Sequence, residues 1–198
     1  GINLHLLGLA NVQPWHGLDR VIYGLQEYYK RENPINVIFD VVGSGDELPN
    51  LKNLTKTLLL EKYIRFHGFV SGKDLLEIYE KSHIGIGSLG MHRINVAKGE
   101  TSALKSREYA ARGIPFVIAY LDRGFPEDFP FLLNLEANDN QVDIQQIVDF
   151  YTKCLKVKEY AEIMHQYAKD NLTWNAKLKP VAEALKNAKK SSNSDTHL

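Results

Sequence analysis

The sequence predicts an α/β fold, a parallel sheet with helices on both faces. Three observations carry this. Short β-like runs alternate with amphipathic helical stretches along the chain, the pattern of βαβ units. The second run, Val37-Ile38-Phe39-Asp40-Val41-Val42, is mostly apolar, as a strand covered on both faces is. Turn-forming residues close the second and third runs, at Gly43-Ser44-Gly45 and His67-Gly68, where such a chain must leave the sheet.

Asn3 to Leu9 reads as the first strand. A helix follows from about Gly17, because Leu18, Val21, Ile22, Leu25 and Tyr29 fall on one 3.6-period face. After the second strand, Leu48, Leu51, Leu54 and Leu58 mark another helix. Tyr63 to Phe66 is a short third strand. Ser71-Gly72-Lys73-Asp74 resembles a capping box and opens a helix with Leu75, Ile78 and Tyr79 inward, with Asp74 where Glu or Gln is usual. Ile84-Gly85-Ile86-Gly87 is a narrow fourth strand. A structureless stretch of about fifteen residues, Ser88 to Ser102, comes next, and loops of that length are functional or disordered. A helix over Ala103 to Arg112 and a strand over Pro115 to Ala119 complete the alternation. A short strand near Phe131 to Leu135 and helices around Ile144–Leu155, Lys158–Asp170 and Trp174–Ala188 are expected beyond it.

The 198 residues, 44% hydrophobic and 24% charged, fit one generous soluble domain. We read residues 1–188 as that domain and 189–198, which lack periodicity, as a disordered tail. A strand beginning at Ile2, behind Gly1 rather than Met, reads as an excised domain with Gly1 a cloning remnant. Zero net charge gives no broad attraction to nucleic acid or acidic membrane. The single Cys154 and the lack of a signal-like segment fit a reducing, cytoplasmic location. No apolar run approaches the ~20 residues that span a bilayer.

In folds of this kind ligands lie beyond the carboxyl ends of the strands, and the polar candidates cluster there. Glu100 and Glu108 form an E-x7-E pair, the first read on a loop lip and the second in the first turns of a helix. A carboxylate accepts hydrogen bonds from sugar hydroxyls, worth roughly 1.5–3 kcal/mol when charge-assisted. Between them Ser102, Ala103, Leu104 and Lys105 form the suspected first helical turn, where free N–H groups and the macrodipole favour a phosphate. After the first strand, Gly17 permits close backbone approach, and His16 and Arg20 offer donors for phosphate oxygens. Gly43-Ser44-Gly45 is half a dinucleotide fingerprint, but Leu48 stands where the third glycine would be, so a nicotinamide site is not supported. Phe69 reads first as core, with Val70 and the His67-Gly68 backbone beside it as a surface for a nucleobase. No Cys/His spacing suggests a metal.

Read together, His16-Gly17, Gly43-Ser44-Gly45, Phe66-His67-Gly68-Phe69-Val70, Glu100 to Glu108 and Gly113-Ile114-Pro115-Phe116-Val117 resemble, in order and spacing, the Rossmann-like C-terminal half of a GT-B glycosyltransferase. The family is the retaining family 4, glycosyl transferases group 1. The resemblance covers roughly Asn3 to Ala119 well and the Trp174 region loosely. It implies a donor domain for a nucleotide-diphosphate sugar, with no cofactor and no metal. Glu108 would hold the donor ribose, Glu100 would approach the reacting carbon, the amides of Ser102–Lys105 would hold the diphosphate, and Phe69 and Val70 would face the base. An acceptor glycan or lipid-linked glycan would be held by an N-terminal domain absent from this chain, and peripheral attachment to the inner membrane is open to the full-length protein. Two departures stand out. Leu9 and Ala10 occupy the place of a usual arginine, and His16 that of the usual phosphate lysine, with Lys105 or Arg20 left to compensate. Two rival readings fit the same residues: a nucleotide-sugar epimerase of this architecture, and a degenerate, non-catalytic nucleotide- or partner-binding domain.

Overall fold

The computed structural model of the protein describes residues 3–94 and 100–173, with the backbone alone at 100–103. Six parallel strands form one sheet: β1 (Asn3–Leu9), β2 (Asn36–Val42), β3 (Ile64–Gly68), β4 (Ile84–Ile86), β5 (Phe116–Ile118) and β6 (Leu132–Asn134), in the order β3-β2-β1-β4-β5-β6. The helices are α1 (Leu18–Tyr28), α2 (Leu48–Thr57), α3 (Gly72–Lys81), α4 (Glu100–Ala111), α5 (Ile144–Leu155) and α6 (Tyr160–Asn171).

The chain builds outward from β1 through β2 to β3, then returns to β4 and builds the other way. Right-handed crossovers therefore place α1 and α2 on one face and α3 and α4 on the other. The packing agrees, with α1 against α2 and α5 and α4 against α6. The order reverses between β1 and β4, whose carboxyl ends diverge into a crevice. Buried apolar residues from β1 to β5 and from all six helices form one core, including Leu6, Phe39, Ile84, Tyr109, Phe116 and Met164, with Leu132 and Leu133 of β6 partly buried against it. Tyr109 marks its centre: its hydroxyl donates to the carbonyls of Leu7 (3.1 Å) and Ile86 (3.2 Å), locking α4 across the β1–β4 junction. Beneath its ring lies Gly85, where a Cβ would come within 2.5 Å of the aromatic carbons.

Most expected elements stand where the periodicity puts them. β1 and α5 match end to end, and β3 runs two residues further, to Gly68. Ser71 holds the N-cap position of α3, but its side chain makes no capping bond. The expected structureless stretch 88–102 is shorter: a 3-10 turn occupies Met91–Arg93, and α4 already includes Glu100. The expected Trp174–Ala188 helix and the 189–198 tail lie outside the described residues. No helix among the described residues is long and apolar enough to cross a membrane.

Candidate functional site

The crevice at the β1–β4 junction is lined by Leu9, Ala10, His16, Leu18, Ile86, Gly87, Ser88 and Lys105. At about 10 Å³ it is far smaller than the open grooves between α1 and α2 (about 380 Å³) and between α4 and α6 (about 500 Å³). It is also where the topology places a ligand, and it brings together candidates from both halves of the sheet.

The β1 side is built by backbone. The loop after β1 is held to the loop after β2 by Ala10 N–H to the Val42 carbonyl (3.1 Å), Val12 N–H to the Ser44 carbonyl (2.6 Å) and Glu47 N–H to the Val12 carbonyl (3.2 Å). Gly43 and Gly45 make this possible. Gly43 has φ 120°, and a Cβ on either glycine would run into the Ala10 or Val12 backbone. These two glycines therefore admit a neighbouring loop. Gly17, at φ 63°, is similarly pressed against the backbone of Leu89 and Gly90. Its close approach is to its own chain.

Arg20 is held by the protein itself. Its side chain is buried, with the residue only 3% exposed, and it donates to the carbonyls of Asn140 (2.7 Å) and Leu89 (2.6 Å) and to Asn138 Oδ1 (3.2 Å). A guanidinium committed to three acceptors is a clamp between loops. Arg93 does similar work nearby, with a bidentate pair to Asp19 (2.9 and 3.0 Å) and a bond to Asp139 (2.7 Å).

His16 remains directed at the crevice. Its Nδ1 accepts the Gln13 N–H at 2.9 Å, so that nitrogen carries no proton and Nε2 carries one. Burial first, then the positive charge of Lys105, lowers the imidazole below its ordinary pKa. A neutral ring with Nε2–H donates one hydrogen bond but brings no charge.

The α4 side is built by side chains. Ser106 is fully buried, donating to Asp122 Oδ2 at 2.6 Å and meeting the Tyr120 hydroxyl at 3.0 Å. Asp122 also accepts from the Gly124 N–H (2.9 Å) and lies 3.6 Å from Arg107. This knot ties α4 to the loop after β5 and leaves Lys105 and Glu108 half-exposed, their charged atoms 3.4 Å apart. Arg112 Nε stands 3.7 Å from the other Glu108 oxygen. Leu104 is exposed.

Two expectations about this helix change. Because α4 includes Glu100, the amides of Leu104 and Lys105 are spent on carbonyls four residues back. The free N–H groups of its start end at Ser102, so Ser102 keeps that capacity and Ala103, Leu104 and Lys105 do not. Eight helical residues also separate Glu100 and Glu108 by about 12 Å of rise and about 80° of turn. The two glutamates stand at different heights on one helix rather than flanking its mouth. The Glu100 side chain lies outside the described atoms, so no contact is assigned to it.

At the carboxyl end of β3, Phe69 is 81% exposed while Val70 is half-buried against the core. The expectation of Phe69 as core is overturned, since β3 is an edge strand and the residue lies past its last pair. Sequence reasoning passed over Ser88, whose hydroxyl donates to the Trp15 carbonyl (3.2 Å), and the Ser106–Asp122 knot. Their partners are distant in sequence, and no local pattern announces them.

The family model described as glycosyl transferases group 1 matches residues 5–171. No curated protein matches the chain. Among solved structures, a glycosyltransferase from Rickettsia africae ESF-5 is similar with a TM-score of 0.66 at 17% identity, over 93% of this chain and 47% of its own. Anabaena Alr3699/HepE, solved in complex with UDP-glucose, gives 0.58 at 18% identity, over 93% of this chain and 49% of its own. The C-terminal domain of a glycosyl transferase group 1 family protein (LpcC) from Francisella tularensis gives 0.54 at 17% identity, over 86% and 83%. This chain thus spans about half the length of the first two. At such identities the likeness is one of fold, and it agrees with the expected C-terminal half of a GT-B architecture.

Proposed function

The chain belongs to the glycosyl transferases group 1 family, and on that premise we propose that it is the donor-binding half of a glycosyltransferase. The whole enzyme moves a hexosyl group from a nucleotide-diphosphate sugar to a glycan or lipid-linked glycan held by an N-terminal domain. One observation carries this reading: Lys105 and the His16 Nε2–H line the same crevice at the β1–β4 junction, with Glu108 next to Lys105.

In this reading the diphosphate sits across the mouth of the crevice. Lys105, His16 and the free amides at the start of α4, Ser102 among them, stabilise the charge that grows on the leaving group. No metal is needed for that step. Glu108 accepts from the ribose hydroxyls, and the exposed Phe69, with Val70 behind it, offers a flat apolar face to the base. Glu100 approaches the reacting carbon. The UDP-glucose seen with the Anabaena protein makes UDP-sugars the first donors to try.

The test is titration calorimetry with UDP-, GDP- and ADP-sugars. One of them binds weakly, and Glu108→Ala lowers that affinity by roughly 1.5–3 kcal/mol through lost charge-assisted bonds. An unchanged affinity removes Glu108 from the site. No binding by any donor favours a non-catalytic domain. The isolated chain does not turn over, so detectable sugar transfer by it contradicts the two-domain reading, and product analysis of the full-length protein separates transfer from epimerisation.

A further inference from the structure

Tyr79, in the last turn of α3, is only 4% exposed, and its hydroxyl is the one fully buried side-chain polar atom among the described residues with no hydrogen-bond partner. A phenylalanine would fill the same space without burying an unsatisfied polar atom, so the hydroxyl is a cost unless it has a use. Its surroundings indicate the use. The Arg112 guanidinium lies 3.9 Å over the Tyr79 ring, and the same guanidinium comes within 3.7 Å of Glu108 Oε1. Lys105 approaches the other Glu108 oxygen at 3.4 Å. One half-exposed carboxylate is thus flanked by two cations, one of them stacked on a buried phenol.

We propose that Tyr79 is a positioning residue for Glu108: its hydroxyl donates to one carboxylate oxygen and thereby turns the other toward the two hydroxyls of a bound ribose. The inference rests on the reading of Glu108 given above. A glutamate carboxylate rotates broadly about its last torsion, so a fixed donor behind it selects one orientation. Burial, and after it the Glu108 carboxylate, holds the phenol protonated well above its ordinary range, so a proton is always available to donate. Arg112 neutralises the carboxylate and packs the ring, while Lys105 connects the group to the crevice. A carboxylate has about four acceptor sites, enough for Tyr79 and two ribose hydroxyls together.

The test compares Tyr79→Phe, Glu108→Ala and the unaltered chain, titrated with UDP and with 2′,3′-dideoxy-UDP. Tyr79→Phe should weaken UDP about fivefold, the worth of one lost hydrogen bond. It should leave 2′,3′-dideoxy-UDP binding unchanged, and the melting temperature should move little, because loss of the Tyr79–Glu108 bond is offset by removal of the hydroxyl's own burial cost. Equal weakening of both nucleotides marks Tyr79 as merely structural and overturns the proposal. Unchanged UDP binding by Tyr79→Phe, with Glu108→Ala still weakened, overturns it while leaving the Glu108 reading intact. Unchanged UDP binding by Glu108→Ala overturns both.

Discussion

The two sides of the crevice are held together in opposite ways. The β1 side is sewn by main chain. Ala10, Val12 and Glu47 exchange backbone bonds with the loop after β2, and Leu89 and Gly90 donate to the carbonyls of His16 and Trp15 (2.9 and 3.1 Å). Its charged side chains are consumed in the same work, Arg20 on three acceptors and Arg93 on two carboxylates and the Pro14 carbonyl. The α4 side is anchored by buried side chains, Tyr109 and Ser106, and its charged residues Lys105 and Glu108 are left half-exposed. A charge already satisfied inside the protein has little left to give a ligand. One wall therefore sets the shape of the site, and the other supplies most of its chemistry.

That contrast is tested most severely by two alanine substitutions. Gly43→Ala places a methyl group against the Ala10 carbonyl at a φ of 120° that alanine resists. Denaturant unfolding should show a loss of about 4 kcal/mol, in the range reserved for strain and overpacking. Lys105→Ala, across the crevice, removes only a partly exposed ion pair. It should shift stability by less than about 0.5 kcal/mol while weakening diphosphate binding. Comparable stability losses from both would erase the distinction.

What the sequence made legible follows the same division. Periodicity located all six strands and the helices through α6, because core-facing positions repeat at the spacing of their own element. The E-x7-E pair and the turn glycines were visible as residue types. Their geometry was not. Ser102 reads as a helix start, yet α4 includes Glu100, and that places the two glutamates at different heights. Gly43 and Gly45 announce a turn, but nothing local says that the backbone entering it is Ala10 to Val12. Arg20 sits among the first residues of an amphipathic helix, where an arginine is ordinarily solvated. Its burial depends on Leu89, Asn138 and Asn140, at least 69 positions away. Phe69 carries the opposite lesson, since an aromatic after a strand is core only if another element covers it.

Arg20 gives the next sharpest probe. Arg20→Met removes the clamp, strands the buried carbonyl of Leu89 at a cost of about 1–3 kcal/mol, and also loses the bonds to Asn140 and Asn138. A stability loss of about 3 kcal/mol is expected, still well short of the strain at Gly43. Calorimetry should find the affinity for UDP little changed in whatever fraction stays folded. A variant of normal stability that no longer binds nucleotide would return Arg20 to the ligand and give the β1 side a direct role in binding.

The smallest effect should come from His16, the one polar side chain of the β1 loop that lines the crevice. Burial lowers its pKa in the folded protein below the ordinary 6.5, and Lys105 adds to the shift. The unfolded chain then binds more protons than the folded one between the two values, so stability must rise with pH across that window. Its contribution is complete above about pH 6.5 and is lost as the pH falls from there through the lowered folded value. His83, also lowered by burial and then by His5, contributes a slope of the same sign. His16→Gln keeps a neutral polar side chain at every pH and should flatten the fall in melting temperature between pH 7 and 5 without abolishing it, because His83 remains. A profile identical to that of the unaltered chain would mean that His16 already titrates as a solvated imidazole. The β1 side would then contribute a charge to the crevice at mildly acid pH, and the contrast between the two walls would weaken.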